Sequence, residues 1–360
     1  MQAIQVDQYQ TLLAEKSQRI QIQFNQFDIP ELQVFASKPQ NFRLRAEFKI
    51  WHDGERCFHA MFERGTKNVP IEITEFPIAS HAIVALMPKL IAEINQSQIL
   101  KHRLFQLEYL NTLSGDMLVT FIYHRQLDEE WITEAKRIKE KFGIHIIGRA
   151  KKMRILLDQD HVIEVLDVDG KKLRYKQIEG GFTQPNGEMN QHMLSWARDC
   201  VDGSQSDLLE LYCGNGNFSI AMADKFRRVF ASEISKTSVK AALDNKAMND
   251  IENVDFARVS AEEFTGHMNG TQKRRRLKDL NLEETDFQTV LVDPPRSGLD
   301  EESCKMISQY TNIVYVSCNP ETLEENLKVL TQTHKVERFA LFDQFPYTHH
   351  IESGVYLVKK

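Results

Sequence analysis

The strongest constraint on this chain lies between residues 207 and 317, where short apolar runs end abruptly and hand over to helical patterns. Asp207-Leu208-Leu209-Glu210-Leu211 leads into the turn Tyr212-Cys213-Gly214-Asn215-Gly216-Asn217 and then a helix-forming stretch. A second run, 289–292, stops at Asp293-Pro294-Pro295-Arg296, and a third, 313–317, stops at Cys318-Asn319-Pro320. Strands that alternate with helices of this length predict a doubly wound parallel sheet. Helices are expected at 188–201, 217–226 and 236–249, with a strand at 228–232 and closing strands at 336–342 and 355–358.

The first half has a different texture. Phe42, Leu44, Ala46, Phe48 and Ile50 alternate with Arg43, Arg45, Glu47, Lys49 and Trp51, the pattern of a half-buried strand. A polar helix is expected at 6–26, helices at about 80–96 and 128–142, and strands at 57–62, 118–124 and 144–148. A hairpin is expected to pair 153–157 with 161–166 across Asp158-Gln159-Asp160. The chain therefore reads as an α/β protein: an N-terminal α+β domain over 1–180 and a C-terminal doubly wound, Rossmann-like domain over 181–360.

Charge gives no support to nucleic-acid binding in bulk. Residues 1–180 carry 25 Lys and Arg against 24 Asp and Glu, and residues 181–360 carry 20 against 27, for the net −6 of the whole. Any nucleic-acid partner would have to be held by local patches. Five scattered cysteines exclude a disulfide framework and imply a reducing, cytoplasmic setting. With no Cys-x-x-Cys pair and no helical His-Glu-x-x-His spacing, no metal is expected. No membrane span or secretory leader is expected either.

In the first turn, Gly214 and Gly216 permit a tight bend and a close ligand approach. Ser219 takes the third glycine's place in a dinucleotide fingerprint, which disfavours NAD. Glu233 ends the next strand, where a carboxylate can accept both hydroxyls of a ribose; the bland alternative is a solvated loop charge. These features fit an S-adenosylmethionine site as well as a nucleotide site. Asp293 leaves its strand in a direction stiffened by two prolines. Cys318 precedes a helix start in which Asn319 is a good cap and Pro320 suits the first turn, so its thiolate is expected to be favoured. Cys57, Cys200 and Cys304 read as core residues, and Cys213 as packing beneath the cofactor. Glu352 follows the aromatic, His-rich stretch Phe345-Pro346-Tyr347-Thr348-His349-His350 and reads as a partly buried carboxylate.

Leu211 to Asn217, Val292 to Gly298, Ser317 to Pro320, the closing Glu352-Ser353-Gly354 and Phe182-Thr183-Gln184-Pro185-Asn186 together resemble the RNA 5-methyluridine methyltransferase family. The stretches 45–54 and 342–350 extend that resemblance over the whole length, toward its tRNA (uracil-5-)-methyltransferase branch. Ribosomal-RNA members typically carry a TRAM domain and four cluster cysteines, whereas Cys57 is the only cysteine before residue 200.

The resemblance implies S-adenosyl-L-methionine as methyl donor and uridine 54 in the T loop (T arm) of tRNA as target, with the tRNA-like part of transfer-messenger RNA as a further substrate. By motif position Cys318 is the nucleophile and Glu352 the base. Gln184, Tyr212, Asn217, Glu233 and Asp293 line the cofactor site, and the first domain becomes the RNA-binding one. No obligate protein partner is expected.

Candidate phosphate contacts are Arg43, Arg45 and Lys49, the run Arg149, Lys151, Lys152 and Arg154, and 273–276; Phe105 and Trp51 are candidate stacking residues. Rival readings are a ribosomal-RNA methyltransferase of the same chemistry, an RNA-folding protein, and a dehydrogenase on a similar sheet.

Overall fold

The computed structural model describes residues 6–62, 65, 69–201, 205–268, 270–271, 277 and 282–360. The chain forms two compact units. One consists of Met1–Val6, Lys38–Val165 and Gln177–Gly187; the other takes Asp7–Ser37, Leu166–Lys176 and Glu188–Lys360. A single boundary at 180/181 does not describe this division. Leu32–Phe35 pairs in parallel with His334–Phe342, so the amino-terminal segment belongs with the carboxyl-terminal sheet.

In the first unit, seven strands run in the order Pro70–Glu72, Arg56–Phe62, Arg45–Asp53, Leu104–Asn111, Met117–Tyr123, His145–Ala150, Met153–Leu156. The pairing is antiparallel except between Met117–Tyr123 and His145–Ala150, which helix Glu129–Phe142 connects. That helix starts on Asp128, whose carboxylate accepts from Trp131 N at 2.9 Å, and stops at Gly143 in the left-handed region. The expected alternation holds: Phe42, Leu44, Ala46, Phe48 and Ile50 are all buried.

The hairpin expected across 158–160 does not form. Met153–Leu156 turns back on His145–Ala150 through Lys152 at φ +59°, while His161–Val168 pairs with Lys171–Ile178 through Asp169-Gly170, both at positive φ. The Asp-Gln-Asp stretch instead lends its carboxylates to neighbouring side chains.

The second unit carries an eight-stranded sheet in the order Leu32–Phe35, His334–Phe342, Glu352–Lys359, Asn312–Ser317, Phe287–Val292, Asp207–Leu211, Arg228–Ser232, Val254–Ala257. Every pairing is parallel except the two made by Glu352–Lys359. Its strands are near-continuous apolar runs because helices cover both faces. Apolar clusters lie on either side, one holding Phe230, Phe264 and Tyr315, the other Trp196, Phe218 and Val316. Strands 207–211, 287–292 and 312–317 thus end side by side, and the antiparallel strand begins next to the third. Among the described residues no helix is long and apolar enough to cross a membrane.

Candidate active site

Strand Asp207–Leu211 ends in a turn of unusual backbone: Tyr212, Gly214 and Gly216 have φ of +63°, +56° and +80°. At Gly216 a Cβ would meet Phe256 at 2.9 Å, so glycine is required by packing as well as by φ. At Gly214 nothing lies within 4 Å of where a Cβ would sit, which leaves backbone open to a ligand. Glu233 supports this turn from the neighbouring strand. One of its oxygens accepts from Gly214 N at 3.0 Å and the other from Ser235 N at 2.6 Å. A carboxylate has about four lone-pair sites, so two amides leave capacity for two hydroxyls.

Two further residues hold the turn, and no motif announced them. Asn190 and Asn217 exchange reciprocal amide hydrogen bonds of 2.8 and 2.9 Å, and the Tyr175 hydroxyl donates to the Asn217 carbonyl at 3.0 Å. Ser219, expected only as a missing glycine, donates to the buried Glu210 carboxyl. Burial, with repulsion from Asp293 and Glu233, pushes Glu210 up to about 8 against the pull of that hydroxyl.

The reactive groups gather where the third strand meets the antiparallel one. Ser317 is the register partner of Ser353, so Cys318 and Glu352 leave adjacent strands side by side. Asn319 joins two loops. Its Oδ1 accepts from Glu321 N at 3.2 Å as the helix cap, and its Nδ2 donates to the Arg296 carbonyl at 2.8 Å. Asn326, on the same helix Pro320–Leu330, clamps Leu299 through both its N–H and its carbonyl. Gly354 is required because Trp196 and Phe342 crowd the place of its Cβ at 2.8 and 2.9 Å.

Electrostatically the cluster is dominated by burial and like charge. Glu352 is buried and its carboxyl stands well above the ordinary range, through desolvation first and repulsion from Asp293 second. Asp293 is raised by burial too. Cys318 is the only one of the five cysteines that is not buried. Its thiol is pushed up to about 11 by desolvation and by Glu352 and Asp293, with Arg296 acting the other way. The expectation of a favoured thiolate is therefore corrected. Asn319 occupies the helix cap, and two carboxyl groups and partial burial outweigh the helix terminus.

Cys318, Glu352 and Asp293 thus stand at the ends of three adjacent strands, whereas Tyr212, Asn217 and Glu233 belong to the glycine turn and its neighbour along the same sheet edge. Gln184 is carried by the first unit, beside Pro185 and Asn186, which pair with Leu44 and Arg43.

The expected RNA contacts are mostly occupied. Arg43 donates to the Arg45 carbonyl, Arg45 to the Gly181 carbonyl, and Arg149 and Arg154 both reach Glu179. Lys49 bonds Gln106 and sits 3.9 Å from the Phe105 ring centroid. Phe105 in turn stacks on the exposed His124 ring, with centroids 4.0 Å apart. Trp51 meets Phe62 edge-on. The basic run 273–276 lies outside the described residues.

The family model of tRNA (uracil-5-)-methyltransferase matches residues 8–360. The chain belongs to this family. Among curated relatives, the tRNA/tmRNA (uracil-C(5))-methyltransferase of Photobacterium profundum is 53% identical over 98% of this chain and 97% of its own length. That of Psychromonas ingrahamii is 51% identical over the full length of both. Among solved structures, the Pyrococcus abyssi tRNA (uracil-54, C5)-methyltransferase in complex with S-adenosyl-L-homocysteine superposes with a TM-score of 0.74. It is 20% identical, covers 97% of this chain and 83% of its own, and so supports the family's fold. Within the family motifs, the glycines at 214, 216 and 354 now have physical reasons. Asn190 and Glu210 are additions that only the fold reveals.

Proposed function

We propose that the chain methylates C5 of uridine 54 in the T loop of tRNA, and the tRNA-like part of transfer-messenger RNA, in the cytoplasm. The curated relatives are tRNA/tmRNA (uracil-C(5))-methyltransferases, which supports uracil C5 in tRNA and tmRNA, and the Pyrococcus neighbour is a uracil-54 enzyme, which supports position 54. The second unit is the catalytic domain and the first unit the RNA-holding one. The observation that carries the reading is the register that brings Asp293, Cys318 and Glu352 to the ends of three adjacent strands, Val292 pairing with Tyr315 and Ser317 with Ser353.

C5 of uracil is too weak a nucleophile to take a methyl group unaided. Cys318 loses its thiol proton to solvent and its Sγ adds to C6; the electron pair of the C5=C6 bond moves into an enolate whose C5 would bond the donor's methyl carbon, the S–CH3 pair leaving with the donor sulfur as S-adenosylhomocysteine. A thiolate from so basic a thiol is strongly nucleophilic once formed, and its charge passes to the uracil carbonyl oxygen on addition. Glu352 then accepts the C5 proton. The C–H pair restores C5=C6 and the C6–S pair returns to Cys318. Burial suits Glu352 to this task, because raising its basicity makes it a better proton acceptor.

S-adenosyl-L-methionine supplies the electrophilic methyl group when bound. Tyr212, Asn217, Glu233 and Asp293 of the second unit would hold it, Glu233 through the ribose hydroxyls, with the open backbone at Gly214 beside it. A uridine in a folded T arm must leave its stack to reach Cys318. Phe105 on His124, with Lys49 alongside, offers an aromatic surface and a cation to an unstacked base and its phosphate.

The test is transfer of labelled methyl from S-adenosylmethionine to an unmodified tRNA transcript, beside a ribosomal-RNA fragment, with nuclease mapping. Label in T-loop 5-methyluridine alone is expected. Label only in the ribosomal fragment overturns the substrate, and label in neither overturns the activity.

A further inference from the structure

Glu352 opens its strand, and residues 343–351 are the connection that brings the chain back to it from His334–Phe342, Phe342 and Glu352 being register partners. This connection is gripped by the amino-terminal helix Tyr9–Phe24. Tyr9, Leu13, Ile20 and Phe24 form its buried stripe, and Lys16 is buried on the same stripe. Lys16 Nζ donates to Asp343 Oδ1 at 2.7 Å and to the Phe345 carbonyl at 2.8 Å. Arg19 donates to the His349 carbonyl at 2.8 Å, further along the same loop. One turn on, Gln23 donates to Glu324 at 3.0 Å, and Gln26, in the 3₁₀ turn Asn25–Phe27 that follows the helix, donates to it at 2.9 Å; Glu324 lies on the helix that begins just after Cys318.

A single helix therefore ties down the segments that carry both the nucleophile and the base. We infer that helix Tyr9–Phe24 is a positioning brace for the methyl-transfer chemistry, and that Lys16 is the positioning residue that sets Glu352 against C5 of the bound uracil. The inference rests on the reading of Glu352 as base. A surface lysine would contribute little to such a fixing. A buried ammonium that joins two points of one loop, Asp343 and Phe345, holds that loop in one arrangement and is strongly disfavoured in others. Addition of Cys318 to C6 and transfer of the methyl group do not use Glu352. Removal of the C5 proton, with release of Sγ from C6, does, and it is sensitive to displacements of about 1 Å.

Loosening the loop should thus trap the enzyme after methyl transfer and before release. The experiment compares wild type, Glu352→Gln and Lys16→Met in the full chain, with labelled S-adenosylmethionine and a tRNA transcript. Denaturing gels separate label in the covalent RNA–protein adduct from label in free RNA. For Lys16→Met we expect release of methylated RNA to fall by about tenfold or more, with first-turnover methyl transfer within about threefold of wild type. Adduct should accumulate as it does in Glu352→Gln. Arg19→Ala, which cuts an exposed tie, should shift the same ratio in the same direction by less.

If Lys16→Met does not fold, Lys16→Met/Asp343→Asn, which removes the unpaired buried carboxylate, is read in the same way. Adduct in Glu352→Gln but equal slowing of transfer and release without adduct in the lysine variants overturns the brace and leaves the base reading intact. No adduct in Glu352→Gln removes the base reading itself, and the brace with it.

Discussion

At the carboxyl edge of the parallel sheet, burial raises Cys318, Glu352 and Asp293 alike, Asp293 adds its repulsion to Glu352 and both carboxyls to Cys318, and Arg296 acts the other way on the thiol and Glu352. On the seven-stranded sheet of the first unit the opposite holds: Arg149 and Arg154 converge on Glu179, and Lys139 and His145 on Asp158. The first arrangement raises the proton affinity of each group, so that whichever of them is ionised is a strong base. The second cancels charges into a stable surface. On the function proposed above, chemistry belongs to the region where charge is frustrated and the paired region supplies a shape for docking RNA. Each of the following measurements could break that contrast.

The largest effect is expected at the frustrated edge. Cys318→Ala should lower methyl transfer by more than about 10⁴-fold, as removal of a covalent nucleophile does, while calorimetry finds S-adenosylhomocysteine affinity within about threefold of wild type. Retained turnover would take Cys318 out of the mechanism. Next comes Glu210, beneath the glycine turn. Its folded value is about 8, while an unfolded glutamate titrates near 4.5. Between these limits the folded state binds more protons than the unfolded state, so stability falls as pH rises through that window. Glu210→Gln keeps an acceptor for Ser219 and removes this loss. Its stability advantage over wild type should grow by on the order of 1–3 kcal/mol from about pH 5 to about pH 8, read from denaturant midpoints. A constant difference across that range would mean that Glu210 is ionised in the native protein.

How much of this was legible depended on whether the cause was local. The doubly wound sheet was readable because each strand announces its own end: Gly214, the Asp293-Pro-Pro turn, and the Asn319 cap are local chemistry. Cys318 and Asp293 stand out in the sequence for the same reason, and the register brings them to one sheet edge with Glu352. The thiol's basicity is not legible in the sequence, because it comes first from burial in the fold and then from carboxyls on other strands. Leu32–Phe35 escaped notice as four residues with Val34 exposed, and only His334–Phe342 makes them a strand. Lys16 hid a buried stripe by standing in it as a cation, since its partner Asp343 is more than 300 residues away. The false hairpin at 158–160 shows the reverse error: good turn residues whose carboxylates were needed elsewhere.

In the first unit the strongest expectation falls on the aromatic stack. Phe105→Ala should raise the KM for tRNA by roughly 5- to 150-fold, the equivalent of about 1–3 kcal/mol for one stacked base, with S-adenosylhomocysteine affinity unchanged. An unchanged KM would make the Phe105–His124 pair a packing feature of the strand ends.

The smallest effect separates four cations that look alike in sequence. Arg149 and Arg154 are committed to Glu179, which is buried, so their guanidinium groups belong to the architecture of the sheet. Lys151 and Lys152 stand exposed at the turn between them. If charge that is already paired is shape and exposed charge is contact, Arg154→Ala should cost less than about 1 kcal/mol of stability and leave the salt dependence of tRNA binding unchanged. The double variant Lys151→Ala/Lys152→Ala should leave stability alone and reduce the slope of log affinity against log salt by about one to two, the loss expected for two phosphate contacts. The reverse pattern would show that Arg154 exchanges Glu179 for phosphate on binding, and the paired face would then be an RNA site held in reserve by its own carboxylates.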